Sequence, residues 1–125
     1  MSHLQLQYNR DFQKLLLEAV DEGLSSLGDH PKKVIYFYLE NTFAIKKRDI
    51  PDKIEEFTAA IEKIFGHGAK ILEIRIMKHL FEKVGDAFEY FPERDVLLFT
   101  EYVEAARVAL DLRARFDVAM MLDTF

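Results

Sequence analysis

Cysteine and tryptophan are missing from this chain, and glycine (five) and proline (three) are scarce. Without cysteine there is no disulfide, no thiolate nucleophile, no thiolate zinc site and no cysteine-bound iron–sulfur cluster. Such a composition suits a reducing compartment. No basic start followed by an apolar stretch lies near the N-terminus, so no signal peptide is expected. The longest apolar runs, such as Val34–Leu39, fall far short of the ~20 residues needed to span a bilayer. The expected location is the cytoplasm, with no membrane role.

Half of the 125 residues are hydrophobic, with eleven Phe and five Tyr. That is enough for one domain with its own core and too little for two. The expected division is a flexible tail over residues 1–8, a core over 15–85 and an acidic helical extension over 86–125. Charge is unevenly spread. Residues 1–29 carry five acidic and two basic side chains, residues 30–84 eight and eleven, and residues 85–125 nine and four. A basic middle between acidic ends marks either a binding face or ends that fold back on the middle.

Between the glycines and prolines, apolar residues recur at helical spacing. Phe12, Leu15, Leu16, Ala19, Val20 and Leu24 form one stripe of a helix from about Arg10 to Leu27, with Asn9 or Asp11 as cap and Gly28 as a left-handed stop. Asp29-His30-Pro31 then reads as a cap followed by a first-turn proline. The run Val34-Ile35-Tyr36-Phe37-Tyr38-Leu39 suits a buried strand as well as a helix. The proline signal favours a helix over Lys32–Thr42. Asp49-Ile50-Pro51-Asp52 repeats the cap signal before a third helix, which Gly66-His67-Gly68 breaks.

In the fourth helix, Ala69–Val84, apolar residues occupy more than one face, which predicts the central, most buried helix. Gly85 ends it, and Asp86-Ala87-Phe88-Glu89 has capping-box spacing. Phe91-Pro92-Glu93 opens a last segment free of Gly and Pro as far as Phe125. A helix of about thirty residues would be about 45 Å long. The fold class expected is all-α: a compact bundle of about five helices around the fourth, with a long C-terminal helix.

Chemistry is sparsely marked. The histidines are His3, His30, His67 and His79, in neither Glu-x-x-His nor His-Glu-x-x-His spacing. His79 and Glu82 share a helix face, but two ligands do not make a metal site. His67, between glycines, reads as a helix-ending turn or as an imidazole free to reach a partner. Ser2, Ser25 and Ser26 lie in no nucleophile-elbow pattern. No cofactor or metal is expected, and nothing positively indicates an enzyme.

Two surfaces are candidates for partners. Lys46, Lys47 and Arg48, together with Lys32, Lys33, Lys53 and Lys70, are a possible contact for an anionic partner such as nucleic acid. The interleaved acidic residues and the lack of an Arg/Asn/Gln-rich reading helix weigh against that. In the last helix Leu98, Tyr102, Ala105, Ala109, Leu112, Phe116 and Ala119 follow heptad spacing. A second line, Phe99, Val103, Ala106 and Leu110, runs beside it. One line would pack on the domain and the other on a second copy, giving a homodimer, or both lines belong to the chain's own core.

The stretch Leu15–Gly85 contains LLLEAVDEGLSSLGDHPKKVIYFYLENTF and IKKRDIPDKIEEFTAAIEKIFGHGAKILEIRIMKHLFEKVG. It resembles the Nitrosopumilus output domain family, whose pattern includes DEALSSLG, IYxxLE, IPxKIEEF and AIEKIFGLGAKxLEIxIMK. The resemblance implies an archaeal helical domain whose role, inferred from domain arrangements, is signalling output. The implied partners are a second copy or another signalling protein. No catalytic or ligand residues come with the family. The chain departs from the pattern at His67, where an apolar residue stands, and in the acidic extension Asp86–Phe125. The function expected is a non-enzymatic interaction module. The alternative is a nucleic-acid-binding transcriptional regulator.

Overall fold

A computed structural model describes residues 3–84 and 99–123, with side chains for 10–84 and 99–112. Every regular element among the described residues is helical: α1 (His3–Ser25), α2 (Asp29–Phe43), α3 (Ile54–Phe65), α4 (Ala69–Val84) and α5 (Phe99–Asp123). Short 3-10 turns at Lys47–Asp52 and Gly66–Gly68 lead into α3 and α4. The described residues thus form an all-α bundle of five helices, of which the C-terminal one is the longest, at 25 residues.

The bundle is built around the pair α1 and α4. Phe12, Leu16, Ala19, Val20 and Leu24 of α1 are all buried, as their spacing requires. The pair runs antiparallel. Going up α4, Arg75 meets Ser26 (3.0 Å), His79 meets Glu22 (2.9 Å) and Lys83 meets Glu18 (3.6 Å). The helices lie close together at Gly23, where a Cβ would lie 2.5 Å from Ile76 Cγ1. From α5, Phe99, Val103, Ala106 and Leu110 complete the core, and the Phe99 ring lies 6.5 Å from that of Phe57 on α3.

Several local expectations need correction. The first helix begins at His3 rather than near Arg10, so it takes in residues 3–8. No Gly or Pro stands between His3 and Arg10 to stop the helix extending backwards. Neither Asn9 nor Asp11 caps it. It ends at Ser25, tightened by i→i−3 bonds such as Leu27 N–H to Leu24 O, 3.0 Å. Gly28 has the positive φ foreseen (109°), but its ψ of 159° is extended, and it serves as the N-cap of α2.

The ambiguous run is helix, and Asp29 and Pro31 lie in its first turn, where the acid favours the helix dipole. Asp49 caps nothing. Asp49 to Asp52 belong to a 3-10 turn in which Ile50 and Pro51 are buried, and α3 starts at Ile54. The residue that closes α2 is Ala44, left-handed at φ 55°, with the amides of Ala44 and Ile45 turned back onto Leu39 O.

The fourth helix is central but not buried all round. Leu72, Ile76, Met77, Leu80 and Val84 face the core, whereas Ile71, Ile74 and Phe81 are exposed. Apolar residues on two faces therefore meant one core face and one surface stripe. The stop at Gly85, the turn at Asp86–Glu89 and the opening at Phe91–Glu93 lie outside the described residues.

Candidate functional site

The basic loop comes first, because it carries the only run of like charge singled out in the sequence. Lys46, Lys47 and Arg48 are exposed beside α2 and line, with Leu17 and Glu40, an open cleft of about 500 Å³. They are not equivalent. Lys47 Nζ reaches Asp21 on α1 at 3.0 Å and lies 4.8 Å over the Tyr36 ring. Asp21 also accepts the Tyr36 hydroxyl at 2.9 Å and Lys32 Nζ at 3.4 Å.

Burial alone would push the Asp21 carboxyl up. The hydrogen bonds from Lys47 and Tyr36 and the Lys47 charge outweigh that and hold it below its ordinary value. Burial, and the bond to Asp21, push the Tyr36 phenol strongly up, so it stays a neutral donor. This cluster pins α1, α2 and the loop together. It occupies Lys47 and leaves Lys46 and Arg48 exposed beside Glu40, with Arg48 also 4.0 Å from Asp49. A phosphate approaching the loop would meet two cations and a neighbouring carboxylate.

His79 hydrogen-bonds Glu22, which also receives Lys83. The bond to Glu22 holds the Lys83 ammonium above its ordinary value. His79 and Glu82 therefore do not form a ligand pair, and no group of three metal-ligating side chains occurs among the described residues. His67 is exposed in its 3-10 turn. A group the sequence did not single out is Glu73 on α4. It is 5% exposed, and its Oε1 is buried without a hydrogen-bond partner. Burial first, then the charge of Glu62, push its carboxyl up. No described cleft opens onto it.

On α5 the two lines divide as follows. Phe99, Val103, Ala106 and Leu110 are buried, while Tyr102, Ala105 and Ala109 are half-buried at the edge of the same core. Tyr102 donates its hydroxyl to Met77 O at 3.3 Å, and burial pushes its phenol up to about 12. Leu112 is 56% exposed beside Val108 at 47%. Leu98 and the side chain of Phe116 lie outside the described residues. Of the heptad line, the described side chains Tyr102, Ala105 and Ala109 are thus partly engaged within the chain, and Leu112 is exposed.

Exposed apolar side chains gather elsewhere too. Ile74 and Phe81 of α4, with Tyr102, wall a hollow of about 260 Å³. Among the described residues, the most exposed aromatic side chains belong to α2: Phe37 at 65% and Tyr38 at 50%, with Val34 at 37%. At about 100° per residue, Ile35 and Leu39 point to the core, and His30, Val34, Phe37 and Asn41 fall on the opposite side. The apolar run of α2 therefore serves two faces. The sequence carried that signal in the spacing 30, 34, 37, 41, but a six-residue apolar run reads first as buried.

Among the described residues no helix is long and apolar enough to cross a membrane. These features define a helical bundle with apolar surface stripes and a pinned basic loop. Comparison with protein-family models, curated proteins and solved structures finds no match for the chain.

Proposed function

We propose that this bundle is a non-enzymatic interaction module of the signalling-output kind, acting in an archaeal cytoplasm on a second copy of itself or on another signalling protein. The observation that carries this reading is the grouping of exposed apolar side chains into short stripes on three helices. Val34, Phe37 and Tyr38 lie on α2, Ile71, Ile74 and Phe81 on α4, and Val108 and Leu112 on α5. Single exposed apolar residues are ordinary, but grouped ones mark protein contacts. The resemblance of residues 15–85 to the Nitrosopumilus output domains supports the same reading.

The competing reading, a regulator holding nucleic acid through Lys46, Lys47 and Arg48, draws on the cleft beside them. It is weakened by the commitment of Lys47 to Asp21 and by the presence of Glu40. Fluorescence anisotropy with labelled DNA, at low and moderate salt, separates the two. Phosphate contacts release counterions, so binding through them falls steeply as salt rises. The interaction reading expects no DNA binding that a Lys46/Lys47/Arg48→Ala variant abolishes. Tight, salt-steep binding lost in that variant would replace it with the regulator.

A further inference from the structure

The outer face of α2 assigns a specific occupant. We infer that it pairs with the α2 of a second copy, antiparallel and about a two-fold axis, to give a reversible homodimer. This inference rests on the interaction-module reading and gives it a partner and a surface.

The argument begins with the stripe His30, Val34, Phe37 and Asn41, spaced 4, 3, 4, which is the seam spacing of paired helices. It lies opposite the residues by which α2 joins its own core. Phe37 and Tyr38, at 65% and 50% exposed, leave about 230 Å² of aromatic surface in water per copy, taking about 200 Å² for each whole ring side chain.

Self-complementarity fixes the register. When a second α2 is reversed and Val34 is set against the copy's Phe37, His30 falls against the copy's Asn41 with no further adjustment. In that register the side chains flanking the seam also match. Lys33 and Glu40, both exposed on one side of the stripe, meet the copy's Glu40 and Lys33, so two opposite-charge pairs close over the aromatic centre. On the other side Tyr38 falls over the copy's Pro31, which is also exposed.

A parallel pairing loses this. It sets Phe37 on Phe37 and leaves Lys33 beside the copy's Tyr38, with no opposite charge across the seam. Charge therefore selects the antiparallel arrangement, as flanking charges do in paired helices generally. Counting the flanking side chains, the pairing takes on the order of 1,000 Å² out of water, at the small end of specific interfaces. A weak dimer, with Kd in the micromolar range, is the outcome to look for.

The test is sedimentation equilibrium on the full chain over micromolar to millimolar concentrations. Circular dichroism checks that each variant remains helical. Phe37→Asp is expected to raise Kd about tenfold or more, equivalent to about 1.4 kcal/mol per factor of ten. Lys33→Glu alone and Glu40→Lys alone each set like charges across the seam and are expected to weaken the dimer about threefold. An equimolar mixture of these two variants restores complementarity, so it is expected to associate at least as tightly as the wild type.

Direction is read separately. Because the chain has no cysteine, His30→Cys mixed with Asn41→Cys should give the mixed disulfide in preference to either homodisulfide. The inference is overturned by a wild type that stays monomeric throughout, by a dimer indifferent to Phe37→Asp, by a mixture no tighter than its parts, or by preferred homodisulfides. None of these results touches the DNA measurement that judges the interaction reading itself.

Discussion

Among the described residues, Glu73 is the one buried charged side chain, and its burial works against its own chemistry. A carboxylate taken out of water and left with an oxygen unpartnered favours its protonated form in the folded chain. Its stabilising effect is full below the ordinary glutamate value near 4.5. It is lost as pH rises through the higher folded value. Glu73→Gln removes the ionisation, so urea unfolding at pH 7 should show a gain in stability over the wild type. The decline of stability with rising pH above 4.5 should also flatten. A variant no more stable at pH 7 than the wild type would mean that the carboxyl is comfortably solvated.

Ala44 is a smaller instance of local strain. It is the only described non-glycine residue with positive φ. It closes α2 because Ile45 must turn back into the core, where it is 2% exposed. Nothing in the residue type announces this, since alanine is the best helix former.

Among the elements, the end of α3 and the start of α4 were legible to the residue, because Gly66-His67-Gly68 interrupts two strongly periodic stretches. The caps were not. Asp29 and Asp49 sit before prolines as caps often do, yet the chain bonds its helix starts without them. Cap signals are local, and buried Ile50 and Pro51 decided the geometry of the second one. The strand-or-helix ambiguity of α2 and the overstated burial of α4 share one cause. Apolar residues on two faces of a helix look alike in sequence whether the second face meets the core or solvent.

The α1–α4 contact is the element-scale feature most exposed to test. Gly23→Ala improves helix propensity but thrusts a methyl group against Ile76, with backbone at 3.4 Å behind it. Overpacking of this kind costs about 1–3 kcal/mol. Thermal melting should then show a midpoint lower by about 5 °C. An unchanged or higher midpoint would show that the two helices can part without loss.

At the scale of the whole molecule, part of the charge asymmetry along the chain resolves into internal pairing. The acidic side chains Glu18, Asp21 and Glu22 of α1 meet Lys32, Lys47, His79 and Lys83 from the basic middle. A basic loop that looked available to an anion is partly committed to the chain's own first helix. Only a fold that brings residue 47 to residue 21 shows it. Asp21→Asn should cost about 1–3 kcal/mol in urea unfolding at neutral pH. Because the Asp21 value is lowered on folding, its contribution is present above the ordinary 3.8 and fades as pH falls. The gap between variant and wild type should therefore narrow at pH 3. A gap that persists there would assign the loss to packing rather than charge.

The placement of α5 also bears on how the chain is made. Phe12 is 2% exposed in the finished bundle, and Arg107 of α5 stands 5.3 Å from its ring. A nascent chain leaving the ribosome N-terminus first presents that phenylalanine long before its cover has been synthesised. Until the last helix emerges, α1 is an apolar surface in search of company, the kind of segment that holdase chaperones bind.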